Sequence, residues 1–529
     1  MKELKELKIE DLSTDQKLGM VMAGIIRPIR CEDKYETFDE NVDFVLNLIK
    51  NHSLGAVWMP QQLERREEIM KRIKEAADYP ILIFTDCESG FGDYMVGRHN
   101  AIGLVGTEDA AYTFGKVTAL SARKAGYNII CDPILDMREG SIRSLSADKY
   151  QVAKLAKAIA RGIHDAGMLT VAKHYPGIEP PIDNHMAPGY SSVTKEEIIE
   201  NNLYPYVELI KEDLLDGIMV GHVQAINVDP EHPASVSKST IDLIRDLGFD
   251  GVAITDALDM MGLKAKYGDT NAKGLCIEAG NEFILPWFSA VKAYSDLKEC
   301  YAKGIISDAR LDEAVRRVLE AQHKVNIAES KFDELTKEDI EKFESINRDA
   351  VYACTDEGVE TSIPRDGKHF FALLVRNETD IADDGKVTID SFTNGWWYPA
   401  KITQKLEELF PNSTVRAICQ FPTPNQNMDV LQDSLGYDDV IFITFAEKPA
   451  YAGSDLLTHR IVALIEAMQV TNRISTVVHF GNPYVLQELA HIPRKIIGTA
   501  STKNIDAALE VLAGEYPAKG VPTYDVKFQ

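Results

Sequence analysis

The residues able to do chemistry fall at the ends of apolar runs. Asp256 closes the run Gly251-Val252-Ala253-Ile254-Thr255 and precedes a turn-like Ala257-Leu258-Asp259-Met260-Met261-Gly262. A carboxylate fixed at the end of a strand can attack an anomeric carbon and form a covalent intermediate that water later resolves. It can equally cap the helix that follows. Lys173 and His174 end another apolar run, and a Gly- and Pro-containing loop with Asp183 and His185 comes next. In an Asp-x-His pair the carboxylate holds one imidazole nitrogen, fixes the tautomer and raises the ring's basicity, which leaves the other nitrogen to move a proton. A loop carrying such a pair could swing over a bound sugar; a surface loop with an incidental histidine has the same spelling. A metal held by His174, Asp183 and His185 is disfavoured, because no helical H-x-x-x-H and no cysteine accompanies them.

These side chains need a scaffold, and the pattern around them supplies one. Strand-like runs at 54–59, 79–86, 127–133, 169–176, 217–223 and 251–257 alternate with helix patterns such as 148–167 and 237–249. The second helix has Ser237 or Ser239 as an N-cap and stops near Gly248. Strand–helix alternation implies right-handed βαβ units and a parallel sheet. Asp86, Asp132, Lys173, His174, His222 and Asp256 all stand at carboxyl ends of the strand runs. Those ends form a single face in a closed α/β barrel. An open sheet would also bind ligands there, but the repetition favours the barrel. The expectation is an α/β protein: a TIM-like (β/α)8 catalytic domain over 1–335, a charged helical linker over 336–362, and a smaller αβα sandwich over 363–529. No G-x-G-x-x-G follows the first strand of that last domain, so it carries no dinucleotide fingerprint.

Composition excludes several classes. The 529 residues carry 82 acidic and 57 basic side chains, a net charge of −25, which argues against nucleic acid or an anionic membrane as partner. No apolar run reaches the roughly 18 residues of a membrane span. The first residues show neither an apolar core nor a cleavage site of a secretory signal. Seven cysteines (Cys31, Cys87, Cys131, Cys276, Cys300, Cys354, Cys419) are scattered without C-x-x-C spacing, which suits reduced thiols and a cytoplasmic location.

Taken in order, the motifs resemble those of the glycoside hydrolase family 3 β-N-acetylglucosaminidases of the two-domain kind. The series runs Asp86-x-Glu88-x-Gly90, Asn128 to Asp132-Pro133, Arg143-Ser144, Lys173-His174-Tyr175-Pro176-Gly177, Asp183-x-His185, Gly221-His222, Pro233-Ala234-Ser235-x-Ser237 and Gly248-Phe249-x-Gly251 through Asp256. It continues through 279–285, 479–484 and the closing Leu512 to Pro522, and so covers nearly the whole chain. The resemblance implies a retaining exo-β-N-acetylhexosaminidase with Asp256 as nucleophile, His185 as general acid/base and Asp183 orienting His185. It further implies that Asp86, Arg143, Lys173, His174 and His222 bind the sugar. Neither cofactor nor metal is implied; the partner is a small carbohydrate such as a muropeptide or chitin fragment, and the oligomeric state stays open.

The pattern departs from the family in three places. Asp86-Cys87-Glu88-Ser89-Gly90-Phe91-Gly92-Asp93-Tyr94 lacks the arginines that usually follow. The catalytic loop reads Ile178-Glu179-Pro180-Pro181 where smaller residues are usual, and Ala257 replaces a second aspartate. These changes bear on the sugar and aglycone more than on the chemistry. Alternatives are therefore a β-glucosidase-like enzyme, a phosphorolytic one, since an imidazole repels an incoming anion less than a carboxylate would, and a catalytically silent sugar-binding protein.

Overall fold

The computed structural model describes residues 4–28, 36–138, 141–180, 182–287, 289–375, 378–381, 386–390, 399–447, 456–471 and 473–523; Cys31 and Pro181 lie outside them. Two compact units form. The first comprises Met1–Met95, Ala111–Met137 and Lys149–Ile340, and the second Val96–Ala110, Arg138–Asp148 and Glu341–Gln529.

In the first unit eight parallel strands follow one another around a barrel. They are β1 (Ala23–Ile25), β2 (Ala56–Trp58), β3 (Leu82–Asp86), β4 (Ile129–Cys131), β5 (Leu169–Tyr175), β6 (Gly217–Val220), β7 (Val252–Ala257) and β8 (Phe283–Leu285). Spatial order equals chain order, as repeated right-handed crossovers of one hand produce. A parallel bridge between Met22 and Ile284 brings the two ends of the sheet together, the Ile284 N–H donating to the Val21 carbonyl at 3.1 Å. The helices between strands are capped as their sequences direct: Ser237, of the two candidates, accepts the Thr240 N–H at the start of helix Lys238–Asp246, and Gly248 leaves that helix at φ +95°.

Every second side chain on these short strands points inward. Ala23 and Ile25, Ala56 and Trp58, Leu82 and Phe84, Ile129 and Cys131, Leu169 and Val171, Val252 and Ile254, and Phe283 and Leu285 pack into one cluster. The interior is thus a filled core, and the period of two is that of a pleated strand. One step further along these rows stand Arg27, Asp86, Lys173, Asp256 and Trp287. Alternation that fills the interior with apolar side chains delivers charged and aromatic ones to its carboxyl end.

The second unit holds a six-stranded sheet: β9 (Tyr352–Thr355), β10 (His369–Val375), β11 (Thr414–Cys419), β12 (Asp439–Ala446), β13 (Ile474–Gly481) and β14 (Arg494–Gly498). Their order is β9-β14-β13-β12-β10-β11, parallel except for β9, which runs antiparallel to β14. Phe371, Leu373, Ile441 and Ile443 are buried in one core cluster, and Phe370, Ala372, Leu374 and Phe442 in another. Alternate residues of the same strands thus feed two cores, the signature of a sheet covered on both faces. The charged stretch ahead of this sheet contains helix Lys337–Asp349, which leads directly into β9.

Candidate active site

The barrel's carboxyl end gathers three linked groups. The first is centred on Lys173, whose side chain is only 2% exposed and whose Nζ lies 2.6 Å from Asp86 Oδ1 and 2.8 Å from Glu88 Oε1. A buried ammonium needs such partners, because desolvating it unpaired costs several kcal/mol (order of magnitude). Asp86 keeps 39% of its side-chain surface exposed, so the cluster offers a carboxylate acceptor for a hydroxyl.

The second group sits where the sheet is irregular. The β5–β6 pairing slips between Lys173 and Tyr175, and the β7–β8 pairing slips between Ile254 and Ala257. Such bulges re-aim side chains; the first encloses His174, and the second Thr255 and Asp256. Asp136 holds His174 twice, accepting from its backbone N–H at 3.1 Å and bonding ring Nδ1 at 2.6 Å. The other ring nitrogen, Nε2, is thereby presented 3.9 Å from Asp256 Oδ2. The opposite carboxylate oxygen, Oδ1, accepts the Ala257 N–H at 2.7 Å. Burial pushes the Asp256 carboxyl up, but His174, His222, the Ala257 amide and His185 outweigh it and hold the group below its ordinary value. Asp256 is therefore an anion at neutral pH, with 20% of its side chain still reachable.

His222 braces this arrangement. Its Nδ1 meets Ser235 Oγ at 2.8 Å and its Nε2 the Ala257 carbonyl at 3.0 Å. A carbonyl only accepts, so Nε2 carries the proton and Nδ1 takes one from the serine. Burial lowers the ring's pKa, which keeps it neutral. Both nitrogens are thus engaged by protein groups next to Asp256.

The third group is the loop after β5. Asp183 Oδ1 accepts the His185 backbone N–H at 3.0 Å and bonds ring Nδ1 at 2.7 Å. Asp183 is buried while 29% of the His185 side chain stays exposed. This loop is docked onto the segment behind the nucleophile candidate: Met261 N–H donates to the His185 carbonyl at 3.2 Å, and Gly262 N–H to the Asn184 carbonyl at 3.1 Å. Glycine suits the position, since a Cβ at Gly262 would crowd the Asn184 carbonyl oxygen at 3.0 Å and that of Ala187 at 3.2 Å. The loop of the Asp183–His185 pair is thus joined to the backbone segment that follows Asp256.

Two further features were not read from the sequence. Arg27 lies over the Trp287 ring, 4.4 Å from its centroid, and Trp287 packs on Trp58 at 4.8 Å. Asp259 lies near Arg27, Asp256 and His185, and burial raises its carboxyl to about 6. Folding raises this pKa above the unfolded value, so the group's contribution is intact below about pH 4 and is lost as pH rises through about 6. At pH 7 the cost is about 2 kcal/mol after allowing for partial screening by solvent. Asp259→Asn is therefore expected to be more stable than wild type at pH 7, with the advantage vanishing near pH 4; paired urea titrations at both pH values check it, and equal gains at both would refute it.

Arg143 lies in the Arg138–Asp148 segment of the second unit. Asp136 and the Arg27–Trp287 stack carried sequence signals too weak to single out: the first follows a strand by several residues, and the second needs the inward register of β1 and β8. Among the described residues no group of three or more His, Cys, Asp or Glu side chains is arranged to hold a metal ion, and no helix is long and apolar enough to cross a membrane.

An anionic carboxylate and a carboxylate-held imidazole at the mouth of a parallel barrel are the equipment of a glycoside hydrolase. The model of the glycosyl hydrolase family 3 N-terminal domain matches residues 13–321, and the chain belongs to that family. It is 32% identical over 241 residues to a β-hexosaminidase of Idiomarina loihiensis, covering 42% of this chain and 72% of that one. A β-hexosaminidase of Haemophilus influenzae is 30% identical over 251 residues, covering 44% and 71%. Among solved structures, a family 3 β-N-acetylglucosaminidase from Paenibacillus sp. superposes with a TM-score of 0.77 at 22% identity, over 98% of this chain and 100% of that one. A β-glucosidase from Listeria innocua superposes with a TM-score of 0.69 at 17% identity, over 97% and 74%. These likenesses extend the shared fold through both units.

Proposed function

We propose that the protein is a retaining exo-β-N-acetylhexosaminidase that releases terminal β-linked N-acetylglucosamine from small glycans. The observation that carries this is the docking of the His185 loop onto Met261 and Gly262, just beyond Asp256. In the first step an Asp256 carboxylate oxygen attacks the anomeric carbon, the bond to the leaving oxygen breaks, and His185 gives that oxygen its proton. In the second step His185 takes a proton from water, whose oxygen attacks the anomeric carbon and releases Asp256. Two inversions give net retention. Asp183 fixes which ring nitrogen faces the substrate and stabilises the imidazolium. Lys173 with Asp86, and His174 set by Asp136, bind hydroxyls of the terminal sugar. The β-hexosaminidase names of the relatives support the N-acetylated sugar over the plain one.

A panel of aryl β-glycosides with NMR detection of the product anomer tests this. The expected result is a β-configured first product and at least about a tenfold preference for the N-acetylglucosaminide over the glucoside, a margin of roughly 1.4 kcal/mol. An α-configured first product overturns the two-step mechanism, and preference for the glucoside overturns the sugar assignment. A phosphorolytic second reading is supported by the imidazole in the acid/base position: inorganic phosphate would then replace water in the second step. Absence of any sugar 1-phosphate when phosphate is present rules it out.

A further inference from the structure

One flank of the barrel mouth plays no part in the two-step reaction. Arg27, Asp86, Lys173, Asp256 and Trp287 stand two residues beyond the core-filling Ile25, Phe84, Val171, Ile254 and Leu285 of β1, β3, β5, β7 and β8. β8 is held beside the nucleophile strand, the Leu258 N–H donating to the Leu285 carbonyl at 3.0 Å. Trp287 follows with φ +66°, a left-handed conformation that is a genuine outlier for a bulky residue and that gathers at ligand sites. Its ring is fixed there: the Arg27 guanidinium lies 4.4 Å from its centroid, and Trp58 packs on it at 4.8 Å. Arg27 and Trp287 both remain partly exposed.

Topology decides which part of a sugar this pair meets. Right-handed crossovers make the strands count counterclockwise when the mouth is viewed from their carboxyl ends. β3 stands across the barrel from β7, with β5 on one flank and β1 on the other. The nucleophile meets a β-glycoside on its α face, and seen from the opposite face a D-pyranose counts clockwise from C1. In a ring lying across the mouth with C1 over Asp256, the C4 hydroxyl points to Asp86 and C2 and C3 to the Lys173 flank. C5 and its hydroxymethyl group then fall on the flank of β8 and β1. Resting on the nucleophile role given to Asp256 above, we propose that Arg27, seated on Trp287, donates a hydrogen bond to the C6 hydroxyl of the terminal sugar and selects sugars that carry it.

The test compares p-nitrophenyl β-N-acetylglucosaminide with its 6-deoxy analogue, using the full chain. Wild type is expected to favour the sugar with the C6 hydroxyl in kcat/KM by about tenfold or more, because the analogue leaves a charged donor without its acceptor. Arg27→Met keeps an unbranched stem on Trp287 but removes the donors, and the preference should drop by at least about fivefold. Any intrinsic difference in reactivity between the two sugars cancels in that comparison. Arg27→Lys keeps a charge without the planar fork; its preference should lie between the two, and it serves if the methionine variant does not fold. A wild-type ratio near one, or a ratio unmoved by either variant, overturns the proposal. So does an Arg27→Met variant that loses its preference for the N-acetylglucosaminide over the glucoside instead, since that puts C2 on this flank. These results leave the sugar assignment standing, whereas a wild type that cleaves no aryl N-acetylglucosaminide removes both.

Discussion

Asp256→Ala is expected to lower kcat on the order of 10⁴-fold, because in the proposed mechanism it removes the atom that bonds to the anomeric carbon. The environment of this carboxylate makes the size of the effect legible. Burial pushes its pKa up, but His174 and the Ala257 amide are among the groups that hold the carboxyl below its ordinary value, so at neutral pH the carboxylate is ionised and the effect of its loss is not masked by a partly protonated wild type. The same geometry predicts a chemical rescue. The alanine variant leaves room beside Ala257, and azide entering there would attack the anomeric carbon directly, giving an α-glycosyl azide from an activated aryl glycoside. Wild type would give no such product. A variant retaining more than about a tenth of the wild-type kcat, with no azide product, would take the nucleophile role away from Asp256. Asp136→Asn should act differently. It leaves the nucleophile but loosens the ring 3.9 Å from Asp256, so KM should rise more than kcat falls.

How far the sequence reached can be traced residue by residue. The barrel was legible because its strands spell out their own inward faces. Leu169 and Val171 fill the core and Lys173 follows on the same side, as Val252 and Ile254 are followed by Asp256. The pairing of Asp183 with His185 was equally local. What the sequence did not reveal depends on distant partners. The carbonyls of Asn184 and His185 bond to amides of Gly262 and Met261, more than seventy positions on, and no spacing rule announces such a pair. The loop that could swing over a bound sugar is joined here by two backbone bonds to the segment after Asp256. Asp136 is likewise a loop residue whose value appears only when β5 brings His174 to it. The segments Val96–Ala110 and Arg138–Asp148 belong to the second unit though their neighbours in sequence build the barrel, since an amphipathic pattern states that a face is buried without stating in which core.

The histidine makes the sharper prediction, because its loss should depend on the substrate. In the proposed mechanism, His185→Gln removes the acid of the first step and the base of the second. On an alkyl glycoside, whose alkoxide is a poor leaving group, kcat is expected to fall by roughly 10²–10⁴-fold. A dinitrophenyl glycoside needs no protonation to depart, so its first step should be nearly untouched while the second, which needs a base to activate water, stays slow. The glycosyl-enzyme then accumulates, and mixing enzyme with substrate should release a burst of about one dinitrophenolate per active site, followed by a slow steady state. Azide, which needs no base, should accelerate that steady state and yield a β-glycosyl azide, the opposite anomer to the one expected from Asp256→Ala. The pair of anomers places the two groups on opposite faces of the ring, a distinction that activity loss alone cannot make. Gly262→Val should give a diluted version of the same profile: its Cβ would press on the Asn184 and Ala187 carbonyl oxygens and displace the imidazole without removing it. A His185→Gln variant that slows alkyl and dinitrophenyl glycosides equally, with no burst, would mean that His185 serves only to hold the loop, and the proton donor would have to be sought elsewhere at the mouth, with Asp259, whose carboxyl burial raises to about 6, the first to test.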